Sequence, residues 1–469
     1  MRRRILVVAS LLFASACAEP SADDRRTVIV QALVDADQSL VASRPGFVAG
    51  KHAAMARDLY AFYRATLPLY ARDWRMGVAP VLRSRFAVDS MLPLTLGDAH
   101  PENFGLLLGG DGSLAFEPND FDSADRYPYL WDVNRMLVGL ALAVRASNVE
   151  DPEARAVAVA AERTILRAAA LAYADEITRI ADGGARRRWM GSEGVPALED
   201  LFRRGERDRD ARAELDELTV VDGEGRRTFV RGPAMDDAEN VRGPVPEFAL
   251  DALPRALESY RRSLRDRPPA EYFDVLDAVR ELGSGVASWP RLRVLVLVRG
   301  PSDEPEDDVV LELKELTDSP ARGWIPPGVF FDELGDRVRI AAELLWTAPD
   351  AEPLWGVTSW LGFPVQVRRE SEAEKTLRVR RLEDDAGTVE ALKALAAVLG
   401  SVLAQLQANR TVGEEWAAPV IARRLRGQGV DFAEEQSDLA VEAADGVSID
   451  WLFFRAAIAE RGLLLGYRA

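Results

Sequence analysis

Gly97-Asp98-Ala99-His100-Pro101-Glu102-Asn103-Phe104-Gly105 is the densest polar stretch of the chain, and its surroundings decide the reading of the fold. Upstream, Leu92–Leu96 reads as a short strand running into it. Downstream, Phe104–Leu108 and Leu114–Phe116 flank Gly109-Gly110-Asp111-Gly112, a strong hairpin signal. Asn119-Asp120-Phe121-Asp122 follows the hairpin, and Trp131 to Val144 carries a helical pattern. Asp98 and Asn103 thus share one loop between two strands, and Asp120 and Asp122 return one hairpin later. The arrangement allows Asn103 and Asp120 to converge on a divalent cation while Asp98 stays free to accept a proton. Hard cations take oxygen ligands, and magnesium often uses one or two carboxylates plus substrate phosphates. Asx residues also shape turns without any chemistry, and four of them around one apolar hairpin strain that plainer reading.

Outward from this block, apolar residues recur at helical spacing from Val28 to about Trp74. Residues 152–181 read as one long Ala-rich helix with Pro152 near its start. From 183 to 270 the chain becomes charged and loop-prone, as a solvated insertion or helical subdomain would. Residues 271–385 are β-rich: Arg293–Val298 and Val309–Leu313 are β-branched runs, and Gly356–Arg381 predicts further short strands. A helix is expected over 333–347, and helices return in 386–469, beginning with Val389–Asn409. Strands in a central block with helical regions on both sides predict an α+β protein.

The first block, together with Asn119-Asp120-Phe121-Asp122 and Trp131-Asp132-Val133-Asn134-Arg135, closely resembles the signature of the bacterial family DUF2252. Lys51, Phe62-Tyr63-Arg64 and Asp73-Trp74 resemble that family's upstream pattern, although Ala65 stands where relatives usually have Gly. The block is also similar to the catalytic segment of aminoglycoside phosphotransferases and HipA-type kinases. That resemblance implies Asp98 as catalytic base with His100 organising its loop, and Asn103 and Asp120 as metal ligands with Asp122 as a second carboxylate. It also implies Asp132 as an anchor of the following helix and Arg64 as a structural residue near the site. Mg²⁺ or Mn²⁺ and ATP are the implied cofactors, since phosphoryl transfer asks the protein mainly for positioning and charge stabilisation.

A nucleotide lobe is sought in the β-rich segment. Gly283-Ser284-Gly285 opens a turn before Arg293–Val298, and Lys314 lies in the next strand, a kinase-like layout. Glu343 is the expected carboxylate partner of Lys314, and Arg368 is a candidate phosphate grip, with a solvated edge strand as the alternative. Kinases present the Gly turn and Lys before the base loop, whereas here the base loop comes first. The expected architecture is therefore a circularly permuted, protein-kinase-like two-lobed fold with a large helical portion. Gln405–Asn409 occupies a helix where the family often shows a histidine motif, a departure consistent with altered or lost catalysis.

Composition narrows the class. The 469 residues are 48% hydrophobic and 29% charged, an ordinary globular balance. One cysteine excludes an internal disulfide, and two histidines exclude a His-rich metal centre. A formal charge of −17 without a long basic tract argues against nucleic acid as a partner. Arg2-Arg3-Arg4, the apolar run Ile5–Phe13 and small residues before Cys17 read as a secretory signal over 1–16, with Cys17 as the lipidated residue and 17–27 as a tether. No later segment carries an uninterrupted apolar stretch long enough to span a bilayer. The expectation is an exported, lipid-anchored phosphotransferase with a small-molecule or protein acceptor. Its alternatives are a catalytically degraded ligand- or partner-binding lipoprotein and a metal-dependent hydrolase.

Overall fold

The computed structural model describes residues 22–467 except 89–90, 149, 210–212, 232–240, 283–284, 321–332, 349, 379–381, 383 and 412–414. Cys17 and the signal segment, as well as Gly283 and Ser284, lie outside the described residues. The protein is α+β, 54% helical and 15% strand.

Four helices open the described chain: α1 (Ala22–Ser43), α2 (Pro45–Arg57), α3 (Leu59–Ala65) and α4 (Leu67–Arg75). Pro45 and Pro68 sit in the first turns of α2 and α4, where a missing N–H costs nothing. The short strand β1 (Leu94–Thr95) leads to the hairpin β2 (Phe104–Leu108) and β3 (Leu114–Pro118), paired from Phe104↔Pro118 to Leu108↔Leu114. After β4 (Asp125–Arg126), which pairs with β1, comes α5 (Tyr129–Ala146). Every α5 residue from Tyr129 to Val144 is buried. A helix apolar on all sides must lie inside the molecule, and α5 does so.

The expected single helix over 152–181 is two, α6 (Pro152–Ala160) and α7 (Glu162–Ala181). The break falls at Ala161, whose N–H is shared among preceding carbonyls; no Gly or Pro marks it. Next come α8 (Pro196–Arg207), α9 (Ala213–Leu218), the small hairpin β5 (Thr219–Val221) and β6 (Arg227–Phe229), then β7 (Val241–Pro244), α10 (Glu247–Leu250) and α11 (Leu253–Ser263).

The remaining strands are β8 (Val275–Leu282), β9 (Arg293–Val298), β10 (Val309–Glu315), β11 (Gly356–Trp360), β12 (Phe363–Arg369) and β13 (Lys375–Thr376), with α12 (Leu334–Leu345) between β10 and β11. Five of them, β8 to β12, join β7 in one antiparallel sheet of order β11-β12-β10-β9-β8-β7. Strand alternation sorts the two faces of β10. Val309, Leu311 and Leu313 join the core under α10 and α11. On the opposite face Val310 packs with α9 and β6, while Glu312 and Lys314 continue the row as charges. β13 crosses to pair with β2, fastening the sheet region to the hairpin.

The chain closes with α13 (Asp384–Gly387), α14 (Val389–Gln407), α15 (Ala417–Leu425) and α16 (Gly429–Arg461). By length and composition α14 could cross a membrane, yet 67% of its apolar window is buried, mainly in the core it shares with α5 and α7. It is a core helix. Asn409, just beyond it, donates to Leu94 O at 2.7 Å and accepts from Leu94 N at 3.0 Å, clamping β1.

Candidate functional site

The loop after β1 is pinned from α5. Asp132 accepts hydrogen bonds from the N–H groups of Leu96 and Gly97 at 2.8 and 2.9 Å, and Trp131 Nε1 donates to Gly97 O at 2.7 Å. Asp132 therefore anchors this loop's backbone; the resemblance had assigned it to anchoring the helix that carries it. Burial, outweighing those two donors, pushes its carboxyl up to about 7. Gly97 has φ +78°, and a Cβ there would fall 2.0 Å from Ser123 O, so only glycine fits.

Asp98 leaves this turn with Oδ1 held by Arg135 Nε at 2.7 Å. Arg135 is itself buried, donates to Tyr63 O at 2.9 Å, and lies over the Tyr63 ring at 3.8 Å. Burial raises the Asp98 carboxyl above its usual range against the opposing pull of Arg135. Burial, with Arg64 and Arg135 nearby, holds His100 well below the usual imidazole range, so it is neutral at pH 7. Its Nε2 stands 3.8 Å from Asp98 Oδ2, and its buried Nδ1 has no hydrogen-bond partner among the described residues. Asn103 donates to Asp98 O at 2.8 Å, which folds the loop back on itself.

Beyond the hairpin, Asp120 accepts from Asp122 N at 3.1 Å. Lys314 Nζ lies 2.7 Å from Asp122 Oδ2 and 3.6 Å from Asp120 Oδ2, and Arg291 Nη1 is 3.3 Å from Asp122 Oδ2. Burial raises Asp122, but Lys314 and Arg291 outweigh it and leave the carboxyl below its ordinary value. The far-downstream lysine is delivered by three ties near the end of β10. Ser319 Oγ donates to Asp125 Oδ2 at 2.5 Å, and Arg337 of α12 donates to Ala124 O and Thr317 O, each at 2.7 Å. Arg44 reaches Glu315 at 2.9 Å from the helical side.

Asp98, His100, Asn103, Asp120, Asp122 and Lys314 all line one cleft of about 860 Å³. Gly285 lines it too, with φ +69°, from the described end of the glycine turn. That turn continues into Val286, which packs against the α1–α16 core, and Trp289, which sits against Gly50.

Two expected residues are elsewhere. Glu343 is partly exposed and pairs with Arg339 one turn away at 2.7 Å; the partners of Lys314 are Asp122 and Asp120. The face that α12 turns toward Ala124 and Thr317 carries the cation Arg337 rather than a carboxylate. Arg368 stands across from Glu312, which it binds at 3.2 Å, while Arg293 holds the other oxygen of Glu312 at 2.5 Å. That closed network leaves Arg368 outside the lining of the cleft, where Arg291 is the arginine beside Lys314. Arg291 and Arg337 gave no motif signal. Arg135 did, since it follows Asp132 by nearly one turn on the same helix face.

Among the described residues, no three His, Cys, Asp or Glu side chains cluster as metal ligands. The chemistry of the side chains present suits a hard cation: among the described residues Asp122 Oδ1 is buried without a hydrogen-bond partner, the Asp120 carboxylate is partly exposed, and Asn103 lines the same cleft.

The family model described as "Uncharacterized protein conserved in bacteria (DUF2252)" matches residues 44–457. The chain belongs to the DUF2252 family. Neither the curated proteins nor the solved structures yield a match. The match takes in α2 to α4, the pinned loop, the hairpin and the lysine strand, so most of the cleft of this DUF2252 protein falls inside the family region, while its α1 residues, among them Asp35 and Asp37, precede it.

Proposed function

We propose that this DUF2252 protein is an ATP- and divalent-cation-dependent phosphotransferase with a circularly permuted, kinase-like two-lobed build. The observation that carries the reading is the convergence of Lys314, from a strand nearly two hundred residues downstream, on the same cleft as Asp98, Asn103, Asp120 and Asp122. Asn103, Asp120 and Asp122 Oδ1 would hold the cation. Mg²⁺ or Mn²⁺, when bound there, supplies charge neutralisation for the phosphates. Lys314 and Arg291 supply the protein's own positive charge at that end. Asp98, fixed through one oxygen by Arg135, presents its other oxygen to an acceptor hydroxyl. The acceptor oxygen bonds to the γ-phosphorus of ATP, its proton passes to Asp98, and the bond to the β,γ-bridging oxygen breaks to release ADP.

Thermal unfolding with ATP plus Mg²⁺ or Mn²⁺, against each metal alone, tests the reading by mass action. Stabilisation by the pair, lost in Asp120→Ala, is expected. No response to ATP with metal, and an Asp120→Ala variant indistinguishable from wild type, would refute it.

A second reading, a non-catalytic ligand-binding member, draws on Asp122: in the absence of a cation Lys314 and Arg291 already neutralise it. Nucleotide-dependent stabilisation without any ATP turnover would favour that form. We further propose envelope anchoring through Cys17; palmitate labelling that persists unchanged in Cys17→Ser would exclude it.

A further inference from the structure

The cleft is electrically two-sided. The catalytic side carries five carboxylates, Asp98, Asp120, Asp122, Glu315 and Asp318, against the two cations Arg291 and Lys314. The wall built by α1 to α4 reverses the balance, with four cations against two carboxylates. Three of those cations are committed or peripheral. Lys51 is locked on Asp37 at 2.8 Å, Arg75 donates to Pro320 O at 2.9 Å, and Arg72 faces Asp35 at 3.8 Å near solvent.

Arg64 differs. Its Nη1 is fixed by Glu102 Oε2 at 2.9 Å, and that fully buried carboxylate is shared with Arg378 at 3.2 Å. Arg64 lines the cleft while only its Nη1 is tied down by a carboxylate among the described residues. The charge of Arg64 reaches the catalytic loop, favouring ionised Asp98 and opposing protonation of His100. A guanidinium held at one corner is a preorganised fork for an oxyanion.

Resting on the phosphotransferase reading, we infer that Arg64 binds the acceptor, and that the acceptor is an anionic molecule carrying a phosphate or carboxylate near the hydroxyl presented to Asp98. The nucleotide phosphates are left to Lys314 and Arg291 across the cleft.

The test uses the full chain, with Arg64→Met and Arg64→Lys compared with wild type. Orthophosphate, acetate and ATP with Mg²⁺ are titrated separately by calorimetry, and circular dichroism checks each fold. Arg378 still neutralises Glu102 in both variants. Orthophosphate or acetate binding should fall at least tenfold in Arg64→Met and less in Arg64→Lys, with ATP–Mg²⁺ binding within twofold of wild type. Which anion binds to wild type distinguishes a phosphate-bearing from a carboxylate-bearing acceptor. Anion binding that is absent from wild type, or equal in wild type and Arg64→Met, overturns the inference. So does a parallel loss of ATP–Mg²⁺ binding, which would move Arg64 to the nucleotide. Wild type that binds orthophosphate through Arg64 but never ATP–Mg²⁺ refutes the phosphotransferase reading while establishing the anion site.

Discussion

Replacing Lys314 with Met tests the contact on which the functional reading turns. The ammonium and the Asp122 carboxylate are 2.7 Å apart, with side chains only 10% and 12% exposed. Removing one member of a buried pair typically costs about 3–5 kcal/mol, because the other charge is left unpaired. Arg291 remains within 3.3 Å of Asp122 and screens part of that penalty, so about 2–3 kcal/mol is expected here. At about 2.1 cal/mol/K of unfolding entropy per residue, a chain of 469 residues loses about 1 °C per kcal/mol, so the melting midpoint should fall by about 2–3 °C. Lys314→Met/Asp122→Asn should recover part of the loss, since the buried Asp122 charge is gone while Arg291 gives up that partner. Neither variant should keep the stabilisation by ATP with Mg²⁺. The sign with pH is also set: Asp122 is depressed in the folded protein, so its stabilising contribution is present above its unfolded pKa and lost as pH falls through the lower folded value. Lys314→Met should flatten that acid limb. Scanning fluorimetry from pH 3 to pH 8 measures all of this. A single variant as stable as wild type, or a double variant no better than the single, would refute the buried pair.

Three further outcomes are expected. Asp37, held at about 2 by Lys51 and His52 against the opposing effect of burial, contributes about 2 kcal/mol above its ordinary 3.8, lost as acid carries pH down through 2; Asp37→Asn should show a shallower acid transition in circular dichroism and a lower midpoint at pH 7. Asp132→Ala strips acceptors from two buried N–H groups at about 1–3 kcal/mol each, so a loss of about 2–6 kcal/mol by chemical denaturation should accompany faster amide exchange at Leu96 and Gly97. Glu343→Ala removes only a partly exposed helical pair with Arg339, so stability by fluorimetry should change by less than about 0.5 kcal/mol and ATP–Mg²⁺ binding should be unaltered.

Local pattern was enough where each element's own residues decide its form. The hairpin over 104–118, the buried helix beginning near Trp131, and the runs at 293–298 and 309–313 are set by turn glycines and side-chain periodicity, which act over a few residues. The gathering of Asx residues around the 97–105 loop was readable for the same reason. The break at Ala161 was not, because neither Gly nor Pro stands there to mark it.

Partner choice is another matter, since ion pairs join residues whose separation in sequence carries no signal. The glycine turn followed by a strand lysine made Lys314 a candidate, and the same layout pointed to Glu343 as its partner. The tertiary fold gave it Asp122 and Asp120, because the end of β10 is tied to Ala124 and Asp125 through Arg337 and Ser319. Arg368 looked as able to grip phosphate as any strand-end arginine, and it was the cross-strand neighbour Glu312 that consumed it. The amino-acid order determined which short segments become loop, hairpin and helix, and which of them are rich in chemistry. Only packing decided which charges meet, because a carboxylate's partner is whichever cation the surrounding core holds within a few ångströms of it.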